Sequence, residues 1–322
     1  MQRYLMLSIY KERDMFLENN ALLNIKKGYL NEDFRFFHLK DKKNEEHTFH
    51  YHDFNKIVIF ISGSVTYAIE GKYYKLKPWD ILFVGSNELH RPIIDSNEFY
   101  ERIIIWVNSD FLKNHSTEDS DLLTCFNTAV KEKLNLFRLS SDNLLLIKDT
   151  LFYLEKAIKD KEFGGRQLQN AYFIQLIVYL NRLMLGASVK RDEKDIEYDE
   201  RIVNILSYIN ENLVSDLSIE NIAAKFYINR YYLMHNFKDE TGYTIHNYIL
   251  EKRLAKAAGL IKNGLQAIRA SEQSGFNDYS SFVRAFKKSF GMSPKQYLKA
   301  IKEIQHSYIN YSESDREYPF RE

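Results

Sequence analysis

Six residues in the last third of the chain can read the edges of nucleic-acid bases: Tyr231, Met234 and His235, then Tyr279, Ser280 and Arg284. They occupy matching places in an internal repeat, in which Leu233, Phe237 and Gly242 return as Phe282, Phe286 and Gly291, each 49 residues further on. Leu233 with Phe237 and Phe282 with Phe286 are four apart, one turn of helix, so each pair shares a buried face and leaves the six residues facing outward. A short helical pattern precedes each copy: LSIENIAAKF from Leu217 to Phe226, and AIRASEQ from Ala267 to Gln273. Two short helices joined by a tight turn, occurring twice, predict a tandem helix-turn-helix whose second helices meet base edges. Small Ala223 and Ser271 permit close helix approach, Ile228 and Phe276 plug the turns, and Asn229 and Asn277 or Asp278 can cap the second helices. Met234 has no donor, and either touches a thymine methyl or contacts no base. Arg230, Lys238, Lys287, Lys288 and Lys295 flank the reading positions and are expected on phosphates. Charge points the same way: residues 225 to 302 hold 14 Lys and Arg against 5 Asp and Glu, within a chain of net charge +1. Such a basic block is the electrostatic footprint of a domain that displaces counterions from double-stranded DNA.

The elements in front must be a separate structure. The chain has 322 residues, 45% hydrophobic and 28% charged, enough for more than one core and without the composition of disorder. Cys125 is its single cysteine, so the fold relies on no internal disulfide. Arg3, Lys11, Glu12 and Arg13 interrupt the N-terminal apolar residues, which leaves no signal-peptide core and predicts a cytoplasmic protein with no membrane association. From about Phe34 to Val107, apolar runs such as KIVIFIS, DILFV and RIIIWV alternate with turn residues. Within them Val65, Tyr67 and Ile69 alternate with polar or small neighbours, and Glu70-Gly71 supplies a hairpin turn. A small antiparallel β-barrel or sandwich is expected. Beyond residue 110 the period becomes helical: Leu144, Ile147, Leu151, Leu154 and Ile158 line one helix face, Gly164-Gly165 breaks it, and a second helix runs from about Arg166 to Leu185. This pair could pack inside its own chain or against a second copy, and the seam of a homodimer is the expectation taken. The charged stretch from Ala187 to Glu200 reads as a linker.

The rear third resembles a known family. LSIENIAAKFYINRYYLMHNFKDETGYTIHNYILEKRLAKA followed by GFNDYSSFVRAFKKSFGMSPKQY is similar to the AraC/XylS family of bacterial regulators over about residues 199 to 299. The resemblance implies that a long helix, here about Thr244 to Ile261, joins the two units, and that Tyr231, Met234, His235, Tyr279, Ser280 and Arg284 contact bases in the major groove. The chain departs from the family where a large aliphatic residue and Ala are usual, having Ala270 and Ser271.

The front is similar to the cupin-type sensor domains of that family, through HYHDFNKIVIFISG and ELHRP. Metal-binding cupins hold an ion with a His-x-His pair, a Glu four residues on, and a later His. Here His50, His52 and His90 match, but Lys56 stands at the Glu position. An ammonium there repels a cation, so no metal or other cofactor is expected. Instead His50, His52, Tyr67, His90 and Trp106 are expected to line a pocket for a small sugar-like organic effector. The resulting expectation is an α+β multidomain chain: a cupin-like ligand-sensing domain over 1–110, a helical dimerisation region over 111–186, a linker over 187–198, a DNA-binding domain over 199–302 and a polar tail over 303–322. Its function would be ligand-modulated, sequence-specific DNA binding without enzymatic activity. The alternative is a metal-dependent cupin enzyme carrying an accessory DNA-binding domain.

Overall fold

The computed structural model describes Leu30 and residues 32–42, 47–95, 97–186 and 193–303. The N-terminal segment read for targeting signals, residues 187–192 of the expected linker and the tail from 304 onward lie outside these described residues.

Two antiparallel sheets form the front of the chain. The first runs in the order β1 (Phe34–Asp41), β7 (Tyr100–Val107), β2 (Asn55–Ser62), β5 (Ile81–Val84), β8 (Leu136–Phe137). The second is β6 (His90–Ile94), β3 (Val65–Ile69), β4 (Lys72–Lys75), β9 (Ile196–Tyr198). Successive strand residues point to opposite faces, and on β2 both faces are buried. Ile57 and Ile59 pack in one core with helices, whereas Val58 and Phe60 pack with Val65, Tyr67, Ile69 and Tyr74 of the second sheet. This double burial explains why KIVIFIS is continuously apolar and does not alternate. Lys56 shares the parity of Val58 and Phe60, which directs it between the sheets. The expected β3–β4 hairpin turns at Glu70 (φ 45°) and Gly71 (φ 78°), the left-handed pair that a two-residue type I′ turn needs. Ile196–Tyr198, read from sequence as linker, pairs instead with β4, through Tyr73↔Glu197 and Tyr74↔Ile196.

Four helices follow the first sheet: α1 (Ser109–Asn114), α2 (Thr124–Lys131), α3 (Ser141–Lys159) and α4 (Gly165–Gly186). Their apolar stripe faces the chain itself. Ile147, Leu151 and Leu154 of α3 join Phe173, Leu176, Ile177 and Leu180 of α4 against Ile57, Phe83 and Ile105 of the first sheet. The expected dimer seam at Leu151 and Leu154 is therefore corrected: these side chains are core, because a sheet face too apolar for water needs the same stripe to cover it. Buried Asn181 ties α4 to the start of α2 and to the loop before it, accepting from the Cys125 amide at 2.6 Å and donating to the Leu122 carbonyl at 3.0 Å.

The last third is helical: α5 (Glu200–Glu211), α6 (Ile219–Lys225), α7 (Arg230–Thr241), α8 (Ile245–Lys262), α9 (Ala267–Gln273) and α10 (Tyr279–Phe290). By contact density the chain forms two compact units. The larger takes in the sheets, α1 to α7 and the start of α8; the smaller takes in Leu213–Asp216 and the described residues from Ile249 onward. Among the described residues no helix is long and apolar enough to cross a membrane.

The core assignment of α3 has a direct check. Leu151→Glu with Leu154→Glu buries two carboxylates and should abolish cooperative unfolding, whereas Leu145→Glu with Phe152→Glu, on the 64%-exposed positions of the same helix, should leave the far-ultraviolet circular dichroism and the unfolding transition intact.

Candidate functional site

The space between the sheets brings together all five residues expected in a pocket. His50 and His90 form an isolated antiparallel bridge, with backbone hydrogen bonds of 3.1 and 2.9 Å in the two directions. The imidazole centroids of His50 and His90 are 4.5 Å apart and those of His52 and His90 5.2 Å. One ring nitrogen from each of His50, His52 and His90 lies within 4.8 Å of the others. The Tyr67 ring stacks at 6.1 Å from His90, and Trp106, which pairs with Lys56 across β2 and β7, lies 6.1 Å from His52. Backbone carbonyls fix two of the imidazoles: His50 Nδ1–H donates to Thr48 O and His90 Nδ1–H to Glu88 O, both at 2.9 Å. Each Nε2 is thereby left as an acceptor. The loop that leads into His90 is in turn stapled to β2 and to the segment before it, since the Ser86 amide donates to Asn55 Oδ1 at 2.8 Å and the Asn87 amide to His52 O at 2.7 Å.

Lys56 sits at the centre of this group. Its Nζ donates to Tyr67 OH at 3.0 Å and to His90 Nε2 at 3.4 Å. Sequence reasoning treated Lys56 only as the loss of a metal ligand, although its even spacing from Val58 and Phe60 already placed it on the pocket face. Phe54 was also missed; its ring stacks on His52 at 4.6 Å and leans on Trp106 at 4.8 Å, walling the site. Burial keeps the imidazoles neutral. His52 is pushed down to about 3, by desolvation first and then by Lys56 and His50, and His50 and His90 are lowered chiefly by burial. Lys56 is brought down to about 8 by burial and by Arg102, so at neutral pH it remains an ammonium. The three imidazoles do not fit a metal ion here: the His90 nitrogen that would ligate is held by that ammonium, and no carboxylate belongs to the cluster among the described residues.

The remaining candidates lie on α7 in the larger unit and, separately, on α10 in the smaller. Asn229 caps α7 by accepting from the Tyr231 amide at 2.7 Å, and Asp278 caps α10 by accepting from the Ser281 amide at 2.6 Å. Gly242 and Gly291 close these helices with φ of 72° and 74°. Leu233, Phe237, Phe282 and Phe286 are fully buried, while all six expected base-reading residues are exposed, Tyr231 at 70%. Arg230, Lys238, Lys287, Lys288 and Lys295 are exposed as well. Arg230 pairs with Glu220 at 2.7 Å and His235 with Asp239 at 3.1 Å, surface contacts weak enough to be exchanged for phosphate. Ala270 and Ser271, the departures from the family pattern, are buried, and the Ser271 hydroxyl donates to Ile268 O at 2.7 Å.

Two family models match the chain: an AraC-like ligand binding domain over residues 36–126 and a helix-turn-helix domain over residues 222–300. The chain belongs to the AraC family of transcription regulators. Its relatives include the transcriptional activator RhaS of Enterobacter sp. (strain 638), 21% identical over 77% of this chain and 86% of that protein. The transcriptional activator RhaR of Mannheimia succiniciproducens is 20% identical over 77% of this chain and 86% of its own. Among solved structures, ToxT of Vibrio cholerae is matched over 83% of this chain and 98% of that one, at 14% identity and a TM-score of 0.32. The regulator is thus a DNA-binding protein with a ligand-binding domain in front.

The neutral cluster of this regulator carries a pH signature. Below the ordinary histidine value of 6.5 the unfolded chain takes up a proton that folded His52 refuses until about 3, so the stability His52 contributes is complete above 6.5 and is lost as pH falls toward 3. Urea unfolding between pH 7 and 4.5 should therefore show a shallower loss of stability in His52→Phe than in the wild type; parallel curves would place His52 in water.

Proposed function

We propose that this regulator reads DNA through a tandem helix-turn-helix over residues 199–302 and senses a small sugar-like organic effector in a cupin-type barrel over residues 1–110. In this reading it is a cytoplasmic homodimer, not an enzyme. Residues 111–186 carry the dimer face, 187–198 serve as linker and 303–322 as a polar tail. The base contacts are Tyr231, Met234, His235, Tyr279, Ser280 and Arg284, and the phosphate contacts are Arg230, Lys238, Lys287, Lys288 and Lys295. The effector pocket is formed by His50, His52, Tyr67, His90 and Trp106. The rival reading, a metal-dependent cupin enzyme, draws support from the three clustered imidazoles, but Lys56 beside His90 opposes a cation at that place.

The observation that carries the reading is the short hydrogen-bonded route, inside the larger unit, from the pocket to the first pair of helices. Phe49, the neighbour of His50, accepts at its carbonyl from Tyr243 OH at 3.1 Å, one residue beyond the Gly242 that ends α7. Leu89, the neighbour of His90, donates its amide to Glu70 Oε1 at 2.7 Å, and Glu70 Oε2 accepts from Tyr248 OH on α8, also at 2.7 Å. Each histidine-bearing segment is one residue from a bond to the DNA-reading part, so a pocket that closes on an effector pulls on both. A ligand alters DNA affinity only by its preference between arrangements, and a tenfold effect needs about 1.4 kcal/mol.

Supporting the dimer, the buried stripe of α3 leaves an opposite apolar face: Leu145 and Phe152 are exposed, as are Tyr153 and Leu168, and Tyr153 stacks on Tyr172 of α4 at 5.7 Å. On this reading Leu145→Glu with Phe152→Glu, which leaves the fold intact, also sediments as a monomer where the wild type is a dimer.

Selection of bound sequences from random DNA supplies the operator for two further measurements. Arg284→Ala should weaken operator binding by about 1–3 kcal/mol and relax the preference at one base pair, whereas Lys287→Ala should weaken all sequences and reduce the slope of affinity against salt. Wild-type behaviour of both variants on selected and random DNA overturns the assigned surface. For coupling, Tyr243→Phe with Tyr248→Phe removes both hydroxyl bonds while touching neither pocket nor DNA candidates. Whichever member of a panel of sugars and sugar acids shifts the wild type's operator affinity, the double variant should reduce that shift about 2- to 10-fold; an undiminished shift removes this route from the mechanism.

A further inference from the structure

The charge of the pocket identifies the chemical class of its effector, an inference that rests on the effector-pocket reading above. A lysine ammonium has three N–H donors. Lys56 gives one to Tyr67 OH and one to His90 Nε2, and both acceptors are neutral. Arg102, the cation that acts on Lys56, is itself closed by Asp41, through Nη1 at 2.7 Å and Nη2 at 3.0 Å, so Asp41 is already committed. Among the described residues no carboxylate pairs with Lys56. An unpaired charge buried at 7% exposure is costly, and a side chain kept only for packing would be apolar. The third N–H and the uncompensated charge together call for an anionic oxygen.

The imidazoles ask for the opposite polarity. His50 has its Nδ1–H committed to the Thr48 carbonyl, which leaves Nε2 as a lone-pair acceptor. The Nδ1 of His52 is buried and meets no hydrogen-bond partner. Neutral imidazole acceptors are satisfied by hydroxyl hydrogens, and one ring nitrogen from each of His50, His52 and His90 lies within 4.8 Å of the others, with Lys56 bonded to the His90 ring. One molecule therefore has to present an acceptor with negative charge at one end and O–H donors close by. A neutral sugar offers the second without the first, and a divalent cation is repelled by the ammonium.

We propose that the effector is a hydroxycarboxylate of the sugar-acid class, its carboxylate paired with Lys56 and its hydroxyls donating to His50 and His52. Tyr67 and His90 position the ammonium, and Phe54 and Trp106 supply the apolar wall for the carbon skeleton.

The test uses the full chain with gluconate and galacturonate as acid probes, glucose and galactose as their neutral counterparts, and zinc alone, followed by calorimetry and thermal shift. In the wild type at least one acid should bind about tenfold or more tightly than its neutral sugar. Lys56→Met should bring acid and sugar to equal affinity, and Lys56→Arg should retain the acid preference. His50→Gln should weaken acid and sugar together. If Lys56→Met does not melt cooperatively, the wild-type ratio and the Lys56→Arg variant decide the matter. Sugars binding as tightly as acids, or an acid preference that survives Lys56→Met, overturns the hydroxycarboxylate assignment and leaves the effector pocket standing. Stoichiometric zinc on the wild type overturns it through the metal reading, and binding of no probe of any class overturns both the assignment and the pocket.

Discussion

The register of β2 between β5 and β7 determines where everything else in the front of the regulator can be. Lys56 pairs with Val84 on one side and Trp106 on the other, and from there the strand alternates: even-numbered residues enter the space between the sheets and odd-numbered ones enter the helical core. A slip of one residue would exchange the two sets, placing an ammonium among Phe126, Leu154 and Leu176 and leaving isoleucines beside the imidazoles. Pocket chemistry and helical packing are thus two faces of one strand. The helices α3 and α4 fix the register by demanding Ile57 and Ile59, and that demand delivers Lys56 to the space between the sheets, beside His90.

The hairpin turn after β3 is the second place where one local geometry serves two ends. Glu70 adopts φ 45° and Gly71 φ 78°, and a Cβ on Gly71 would stand 2.9 Å from the Leu206 side chain of α5. With φ at 78°, a side chain here would be strained and would also displace Leu206, so glycine suits the turn on both counts. The same turn aims the Glu70 carboxylate at Tyr248 OH, at Asn210 Nδ2 and at the Leu89 amide. A residue that reads in sequence as punctuation between strands joins the segment before His90 to α5 and α8.

Legibility in the sequence followed the range of the interactions. The helix pairs of the last third were readable because their caps, their i,i+4 apolar pairs and their terminal glycines are all satisfied within a turn or two of chain; Asn229, Asp278, Gly242 and Gly291 each act locally. The pocket histidines were readable only through a family resemblance, since His50 and His90 are 40 residues apart and meet through sheet pairing. Period told which face of α3 is apolar but not what covers it, so Leu151 and Leu154 were assigned to a partner when the sheet behind them supplies the cover. The strand Ile196–Tyr198 escaped for a related reason. Three residues among charges carry no alternation signal, and their order comes from β4 and from Asp195, which pairs with Arg138 at 2.7 Å.

A buried lysine without a carboxylate is a poor device for stability and an effective one for discrimination. The fold keeps Lys56 in place with two neutral acceptors and a ring face, the Tyr67 ring lying 5.8 Å from Nζ, which lessens the desolvation cost without cancelling the charge. If the proposed hydroxycarboxylate is the effector, a ligand that lacks an anionic oxygen would bury against that charge and leave it unpaired, and would be rejected by a penalty as well as by a missing attraction. Sites built around a polar group that must be satisfied discriminate by far larger factors than apolar pockets do, on the order of 10⁴ against 10². On the same reading, that penalty would link recognition to regulation. The ammonium sits on Tyr67 and His90, and His90 adjoins the Leu89 amide that holds Glu70. On the proposed reading, pairing the charge changes what Lys56 requires of His90, and the next bonds along the chain, Leu89 N–H to Glu70 and Tyr248 OH to Glu70, lead to α8.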